Sequence, residues 1–557
     1  MMDRNTLLAF FLIALVLIFT PKYMELVAPT QPRPEDIPPT GYTEKQSELP
    51  GVVTPANNAD SLIKPQEAAI ALPLFEENLT ILESDLYRAV ISSAGGGTIL
   101  SFSFNNYFDQ DSQPVDIINK LGAQNLGINF KNLDGDMVDL SIPWENESSF
   151  SGGLITKPVN IKYSHTLASG KKILKSLTFY PDSYVIDVEI NTEGVSDQVF
   201  AGVYSLGWGG GLQSTEENID DDLFYFNSFV YQGGELVDLK VKQGEQGYEL
   251  LNGATDWAAV RTKYFIAALI PSIPTDVAAA TMGGFYNEKE VYSVSLSLPS
   301  SKTSSVSIYL GPLEYERIKL IGRDLEMVMN FGWSFIRPIS KAVLFVLKKM
   351  HEHIPNYGYI LILFAVGVKL IVYPLTKKSY QSTAAMQKIQ PELMALRDKF
   401  KNNPQKLQQA QMQLYKEKGV NPLGGCLPML LQMPLLFALF QVFRTTIELR
   451  SEPFIWWIKD LSAPDTIFTL PFTIPIYGAH VAVLPVLMVV SMFIQQRMMT
   501  GGAAQQPQQK MIQYFMTGFF FLIFNSFPSG LNLYYTLFNV LTIAQQKLIP
   551  PPDNTAS

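Results

Sequence analysis

The chain has 557 residues, 47% of them hydrophobic and only 17% charged. Soluble domains contain about 25% charged residues, so this composition argues against a purely soluble protein. The charges are also unevenly divided. Residues 21–330 contain 21 Lys and Arg against 41 Asp and Glu, a net charge of −20, whereas the rest of the chain carries +11. This asymmetry predicts that the two parts occupy different environments.

Cysteine and histidine are too scarce for several classes of site. Cys426 is the single cysteine, which excludes an intramolecular disulfide, a four-cysteine zinc site and a paired-cysteine redox motif. The four histidines are too scattered for a histidine-rich metal site, and the sequence has neither a Walker loop nor an HExxH motif. We therefore predict no cofactor and no metal ion.

The N-terminal residues 1–20 contain an unbroken apolar run of 13 residues, Leu7 to Phe19. This length suits the apolar region of a signal peptide and is short for a membrane span, so both interpretations stay open. Residues 26–28 resemble a cleavage site only weakly, which favours an uncleaved transmembrane anchor. Residues 21–73 are rich in proline and poor in aromatic side chains, a composition that predicts a disordered linker.

Residues 74–330 are predicted to form an all-β sandwich. Short runs of alternating apolar and polar residues, such as Tyr184–Ile190 and Ser305–Leu310, are separated by clusters of Gly, Asn and Asp. A period of two is typical of half-buried strands, and regular spacing of such strands favours a sandwich.

Residues 331–356 are predicted to include an amphipathic helix at the membrane interface. From Trp333 to Met350, apolar side chains recur with helical spacing among basic residues. The basic residues are Arg337, Lys341, Lys348 and Lys349.

Five further apolar stretches have the length of membrane spans, and the N-terminal anchor makes six. One lies in residues 357–376 and four lie in residues 427–549. The last two spans are separated only by residues 528–530, which predicts a tight antiparallel pair. The five stretches run from Tyr357 to Leu375, Leu427 to Phe443, Ala479 to Ile494, Ile512 to Phe527 and Leu531 to Ile549.

The loop charges predict the orientation. Residues 377–426 contain nine basic and three acidic residues, whereas residues 444–478 contain three and four. Basic loops stay in the cytoplasm, so we expect the first loop and both termini there, with the acidic β domain on the other side. The basic residues of the amphipathic helix oppose this assignment. Within the first loop, Ser379–Phe400 and Pro404–Lys418 predict a helical hairpin.

Lys369 lies inside the predicted second span. A charged side chain at the centre of a bilayer costs about 2.5–3.5 kcal/mol, so it usually faces a bundle interior or a watery cavity. Lys369 is also about seven residues, roughly 10 Å, from the cytoplasmic end of its span. Its stem could therefore instead extend towards the interface.

Polar residues of other spans lie at a similar depth and on common helix faces. Hydrogen bonding between helices is the simpler explanation for such residues. Together with the charge of Lys369, however, they favour a polar groove that opens to the cytoplasm. The predicted groove residues are Lys369, Gln432, Thr517, Tyr535 and Asn539, and the same faces carry Gln513, Asn525, Asn532 and Thr542.

Several motifs together resemble the YidC/Oxa1/Alb3 family of membrane protein insertases. The resemblance covers roughly Trp333 to Ile549, and the extra N-terminal anchor and β domain are similar to the Gram-negative bacterial YidC type. The motifs are Tyr373–Lys377, Asn421–Pro428 continuing to Gln432–Pro434, Pro453–Trp457 with Asp460–Ser462, and Phe527–Leu531 with Tyr534 and Tyr535.

The resemblance implies a five-helix core in the bacterial inner membrane, around a groove in which a positive residue attracts nascent chains. The family usually has Arg at this position, and Lys369 keeps the charge without the bidentate fork. The implied partners are nascent membrane proteins, the ribosome, the SecYEG translocon, SecDF and membrane lipids. Residues 550–557 form a short cytoplasmic tail without a basic residue, so ribosome contact would rely on the basic loop.

The resemblance also bears on two rival functions. The outer domain of the family resembles galactose mutarotases, which use paired histidines with a carboxylate, but His165 is the only histidine in this domain. We therefore expect no enzyme activity and a role in docking or spacing. A secondary transporter is the alternative that the intramembrane charge suggests. It would predict inverted repeats, which the five core spans do not show.

Overall fold

The structure is a computed structural model. It describes residues 76–109, 111–120, 124–286, 290–401, 403–420, 427–474, 477–500 and 507–548. The predicted N-terminal anchor, linker and C-terminal tail lie outside the described residues, as do residues 421–426 of the family motif. The chain divides into residues 70–504 with 514–557, and residues 1–69 with 505–513. The second unit is described only at residues 507–513, so the account below concerns the first.

The β-sheet-rich region predicted from alternating residues is confirmed. In Val185–Asn191, for example, Ile186, Val188 and Ile190 are buried while the intervening side chains are not. The strands are β1 (Leu79–Glu83), β2 (Tyr87–Ser92), β3 (Thr98–Phe108), β4 (Pro114–Asp116), β5 (Asn125–Asn129), β6 (Glu145–Asn146), β7 (Gly153–Leu154), β8 (Val159–Thr166), β9 (Lys172–Phe179), β10 (Val185–Asn191), β11 (Val203–Trp208), β12 (Asn227–Gln232), β13 (Glu235–Leu239), β14 (Gln246–Asn252), β15 (Trp257–Arg261), β16 (Phe265–Pro271), β17 (Ala279–Tyr286), β18 (Glu290–Pro299), β19 (Ser304–Pro312), β20 (Thr466–Ile474) and β21 (Gly478–Ala482).

The first 19 strands form three sheets. A nine-stranded sheet has the order β13-β12-β15-β16-β19-β10-β9-β8-β6, and two five-stranded sheets have the orders β4-β3-β2-β1-β7 and β14-β17-β18-β11-β5. Strands β12 and β15 of the large sheet contact β17 and β18. On the other small sheet, the ring of Phe104 stacks on that of Phe265 in the large sheet at 5.0 Å. The apolar faces therefore enclose a common core.

The described α-helices follow β19, the last strand of the three sheets, apart from one short helix within the β domain. Asn356 starts the long helix α4 by accepting hydrogen bonds from the backbone N–H groups of Gly358 and Tyr359. The helices are α1 (Ile219–Leu223), α2 (Tyr315–Ile321), α3 (Arg337–His351), α4 (Tyr357–Lys388), α5 (Gln390–Lys399), α6 (Pro404–Glu417), α7 (Leu427–Thr445), α8 (Leu484–Thr500), α9 (Pro507–Phe524) and α10 (Ser529–Leu548).

The helices differ from the predicted spans in two places. Helix α4 continues without interruption to Lys388, well past the predicted end of its span, and keeps Pro374 in its interior. Residues 479–482, predicted to begin a span, belong to strand β21 instead, and α8 begins only at Leu484. Gly478, with a φ of +90°, begins this strand in a backbone conformation that favours glycine.

One helical stretch of the described residues, Tyr357–Pro374, is both long and apolar enough to cross a membrane. Two other apolar helical stretches, Leu484–Met498 and Tyr514–Phe524, are shorter. Helices cover most of each predicted span after the β domain, but six spans and a five-helix core stay predictions.

The amphipathic helix α3 begins at Arg337, four residues later than the predicted Trp333. Its buried face consists of Ser340, Val343, Leu344 and Leu347, and it packs against α7. In the loop that follows α4, helices α5 and α6 contact each other around Leu393 and Leu414.

The β domain is joined to the helices by ion pairs. Arg444, at the end of α7, donates a hydrogen bond to Asp221 over 2.7 Å. Arg450, a few residues further on, donates to Glu216 over 2.7 Å. Both carboxylates belong to residues 214–222, which comprise a loop and most of the short helix α1 and which we call the acidic loop. Lys263 and Arg444 lower the pKa of Asp221 against the opposing effect of burial.

Candidate functional site

Lys369 lies on α4 with only 7% of its surface exposed. Its Nζ donates a hydrogen bond to Oγ1 of Thr542 on α10 and lies 3.7 Å from the centre of the Phe538 ring. Among the described residues, no carboxylate lies within ion-pair distance of this ammonium group. A hydroxyl and an aromatic face are therefore its partners here, and neither neutralises its charge.

Thr542 is fixed in position by a second hydrogen bond. Its hydroxyl donates to the backbone carbonyl of Phe538 over 2.7 Å, so a lone pair of Oγ1 remains to accept from Lys369. One turn further along α10, Gln545 donates to Thr376 of α4 over 3.0 Å. Polar contacts thus join α4 and α10 from Lys369 towards the end of the predicted span.

Helix α8 contributes to the other side of α10. The amide of Asn539 donates to Oγ of Ser491 over 3.3 Å, and Ser491 donates to the carbonyl of Met488 over 2.7 Å. Thr517 of α9 is buried and donates to Gln496 of α8 over 3.5 Å. The polar residues of α8, α9 and α10 therefore meet at helix–helix contacts, as the hydrogen-bonding interpretation of these residues also predicts.

Tyr535 and Gln432 are less closely connected to these contacts. Tyr535 is buried beside the rings of Phe524 and Tyr534, and its hydroxyl has no hydrogen-bond partner among the described residues. Gln432 is half-buried on α7. The part of the chain that is described shows no hydrogen bond from either residue to Lys369, Thr517 or Asn539.

Four residues of this region were not singled out from the sequence. Gln545 follows Thr542 by three residues, so continuing the stripe on α10 would have found it. Thr376 was used only to mark the end of a span. Ser491 and Gln496 lie five residues apart on α8 and form no helical stripe, so their role depends on packing that the sequence does not reveal.

The one histidine of the β domain, His165, lies on β8 and packs against an aromatic ring. His165 is buried with its ring 5.5 Å from that of Trp144, and burial lowers its pKa. The described residues contain no group of three His, Cys, Asp or Glu side chains that could hold a metal ion.

Lys175 is also buried in this domain. It donates to the backbone carbonyls of Gly95 over 3.1 Å and Leu126 over 2.7 Å, and burial lowers its pKa to about 7. It therefore ties the large sheet to segments of both smaller sheets, which is a structural role.

In comparison with known proteins, a family model matches each of the two halves of the chain. The family model described as "60Kd inner membrane protein" matches residues 349–553, and the model described as "YidC periplasmic domain" matches residues 80–343. The membrane protein insertase YidC of Chlorobium phaeovibrioides is 37% identical to this chain over 570 residues, covering 98% of the chain and 94% of that protein.

Two solved structures are also similar. The crystal structure of an active YidC insertase with its first transmembrane domain resolved is 18% identical, with a TM-score of 0.34, and covers 84% of this chain and 94% of that one. A galactose mutarotase related enzyme from Lactobacillus acidophilus is 9% identical, with a TM-score of 0.29, and covers 42% of this chain and 97% of that one.

Proposed function

This chain belongs to the YidC family of membrane protein insertases, and from that premise we propose that its substrates enter along a polar groove between α4, α7, α8, α9 and α10. The protein is an inner membrane protein with a periplasmic domain, and its family consists of insertases rather than enzymes. Lys369, Gln432, Thr517, Tyr535 and Asn539 are the residues that we assign to the substrate groove.

The observation that carries this proposal is a buried ammonium group that has no neutralising partner nearby among the described residues. Within the described part of the chain, Thr542 and the Phe538 ring offset the desolvation of Lys369. An acidic residue in the tail of a nascent chain would supply the missing negative charge. A hydrogen bond that involves a charged group contributes about 1.5–3 kcal/mol. Transient pairing with Lys369 therefore favours transfer of an acidic tail.

The groove lowers the free-energy barrier to transfer of the substrate tail, because it shortens the distance that the tail crosses through hydrocarbon. Polar groups of a substrate tail cannot remain without hydrogen-bond partners in the bilayer core. Ser491, Asn539 and Thr517 would offer such partners by exchanging their present contacts, and the hydroxyl of Tyr535 has none to exchange within the described structure. Partitioning of the apolar segment into lipid supplies the driving force.

We place residues 357–376 and the four spans of residues 427–549 in a five-helix core, with an N-terminal anchor in residues 1–20 and a linker in residues 21–73. Both termini and the hairpin of residues 377–426 lie in the cytoplasm, and residues 74–330 lie in the periplasm. Two of the four cations of α3, which oppose this orientation, form ion pairs with carboxylates. Lys348 pairs with Glu448 over 3.0 Å and Lys349 with Glu352 over 2.8 Å.

The partners follow from the same placement. Nascent membrane proteins are the substrates, and the basic loop of residues 377–426 would contact the ribosome through the negative charge of its RNA. We assign the SecYEG translocon and SecDF as further partners, with membrane lipids around the core.

Photo-crosslinking tests the route. A photoreactive residue replaces Gln432, and ribosomes stalled on a short single-span membrane protein are added before illumination. The same replacement at Met433, the neighbouring residue, is the control because it faces about 100° away around α7. An adduct to the nascent apolar segment from position 432 and a weaker one from 433 supports the groove. Equal adducts from positions 432 and 433, or no adduct in the folded protein, would contradict the groove. The polar residues would then be explained by packing between helices alone.

Charge substitution tests the role of Lys369. Lys369→Met should slow insertion of a substrate with an acidic tail by roughly 10- to 150-fold, the equivalent of about 1.5–3 kcal/mol. Insertion of the same substrate with a neutral tail should change little. Lys369→Arg should keep most of the activity, and Lys349→Met is the matched control for losing one lysine. An equal effect of Lys369→Met on both substrates would refute the charge mechanism.

A further inference from the structure

Strands β20 and β21 form a hairpin of unusual composition. Residues 466–482, which we call the apolar hairpin, contain no Asp, Glu, Lys or Arg, although 17% of the whole chain is charged. Three of its large apolar side chains are mostly exposed, since Ile467, Phe468 and Phe472 are 57%, 59% and 61% exposed. Large exposed apolar side chains that lie close together mark an interaction surface.

The base of the apolar hairpin is fixed to the ends of two helices. Asn525, which directly follows α9, donates from Nδ2 to the carbonyls of Tyr477 and His480 over 2.9 and 2.7 Å. Nε2 of His480 in turn lies 2.9 Å from the carbonyl oxygen of Asn525. These contacts hold the position of the hairpin, so the exposure of its aromatic side chains is not the result of a loosely attached loop.

A second set of contacts joins the hairpin to the start of α8. The carboxylate of Asp465 accepts hydrogen bonds from the backbone N–H groups of Val483 and Leu484 over 3.0 and 2.8 Å. It also accepts from the indole N–H of Trp457 over 2.9 Å. Trp457 stacks on Trp456, which is exposed, and tryptophan is enriched where proteins meet the headgroup layer of a membrane.

The structure of the apolar hairpin distinguishes between two kinds of partner, a protein that adds a strand and lipid. Its two strands form a sheet by themselves, and Ile467 and Phe468 are neighbours in the sequence that are both exposed. A protein that adds a strand would need a continuous edge, but Pro471 interrupts β20 and lacks the N–H donor. Lipid needs no such edge and surrounds apolar side chains from several directions.

We propose that the apolar hairpin inserts into the boundary between headgroups and acyl chains of the periplasmic leaflet. Because its base is bonded to α8 and to the residue after α9, this insertion fixes the depth of both helices in the membrane. The inference rests on the proposed placement of the spans, but it does not depend on the groove or on Lys369.

Depth-dependent fluorescence quenching tests this proposal on the full chain. Cys426 is replaced by serine, and the variant Phe472→Cys is labelled with the environment-sensitive dye NBD. The protein is reconstituted into vesicles of phosphatidylethanolamine and phosphatidylglycerol that contain spin-labelled phosphatidylcholine. Two exposed leucines provide controls: Leu370→Cys in the apolar stretch of α4, and Leu133→Cys in the β domain.

An interfacial element lies about 5–10 Å deep, so the label at position 472 should lose at least about half its emission to spin labels near the glycerol end of the acyl chain, and less to deep ones. The label at 370 should be quenched most strongly by deep spin labels, and the label at 133 by neither. Quenching at 370 without quenching at 472 would overturn the hairpin proposal. This holds if the emission of the label at 472 is typical of water, and also if it is typical of an interface with another protein. Absence of quenching at 370 would instead refute the placement of α4.

Discussion

Arg450 offers a sharp test of how the β domain is joined to the helices. Its side chain is only 4% exposed, and its guanidinium donates to Glu216 over 2.7 Å and to the carbonyls of Phe108 and Thr215 over 2.9 and 3.2 Å. Arg450→Met would keep an apolar stem of similar length. It would remove the guanidinium donor from two backbone carbonyls and from the Glu216 carboxylate, which would keep only the hydrogen bond from the Thr215 hydroxyl within the described structure.

The loss of stability that we expect in Arg450→Met follows from the burial of this ion pair. Removing one partner of a buried ion pair typically costs about 3–5 kcal/mol, because the other charge stays buried without compensation. Local opening of the acidic loop should then be easier by that amount, and amide hydrogen exchange reports such opening. The amide of Thr215 is bonded to Asp222 over 3.1 Å. Its peptide should exchange roughly 100- to 4,000-fold faster in Arg450→Met, since each 1.4 kcal/mol corresponds to about tenfold.

Mass spectrometry of the exchanged peptides provides the measurement, and two further variants provide the controls. Glu216→Gln combined with Arg450→Met should lower the free energy of local opening by less than the sum of the two single changes, because the two side chains interact directly. Lys302→Met removes the cation of a more exposed pair with Asp276 and should leave the Thr215 peptide unchanged. An Arg450→Met protein with the exchange rate of Lys302→Met would refute this reasoning.

Two further predictions concern stability. Burial lowers the pKa of Lys175 to about 7 against about 10.4 in an unfolded chain, so the unfolded chain binds more protons between these values. Its contribution to the free energy of unfolding should therefore rise with pH from about 7 to 10, by up to about 1.4 kcal/mol per pH unit, and Lys175→Met should remove this rise in urea denaturation. A Cβ at Gly358 would lie 1.9 Å from the Phe454 ring, whereas one at Gly367 would meet nothing within 4 Å. Gly358→Ala should therefore cost about 1–3 kcal/mol and lower the melting temperature, unlike Gly367→Ala.

The strands of the β domain were predictable because their signal is local. The alternation in Tyr184–Ile190 and Ser305–Leu310 corresponds closely to β10 and β19. The pairing of these two strands was not predictable, although they are neighbours in the large sheet with Val188 opposite Val306. Alternation determines which side chains face inwards, but it contains no information about which distant strand completes the ladder.

The candidate site shows the same division between local and distant information. The stripe on α10 was visible from residues three and four apart, and the structure brings its members Asn539 and Thr542 to Ser491 and Lys369. Ser491 gave no comparable signal, because a single serine in an apolar helix is common. The partners of a polar stripe depend on how helices are rotated against each other, and that rotation is set by the packing of many side chains.

The hairpin β20–β21 shows where a hydrophobic run was misinterpreted. Ala479–Val483 extends the apolar run of α8, so hydropathy alone assigned it to a span. Gly478, His480 and the β-branched residues nearby favour a strand, and Asn525 fixes that strand through hydrogen bonds from a segment more than 40 residues away. A helix continued through these residues would lose those contacts.

The ion pairs also strengthen the argument from loop charge. Arg444 and Arg450 count as basic residues of an outer loop in the sequence, but the β domain supplies Asp221 and Glu216 to neutralise them. In residues 377–426, nine cations face only three acidic residues, so at least six remain without a carboxylate from that loop. The two arginines that are paired with the β domain therefore do not argue for a cytoplasmic placement of residues 444–478. The cytoplasmic placement of residues 377–426 stays a prediction, which rests on the larger number of Lys and Arg residues in that loop.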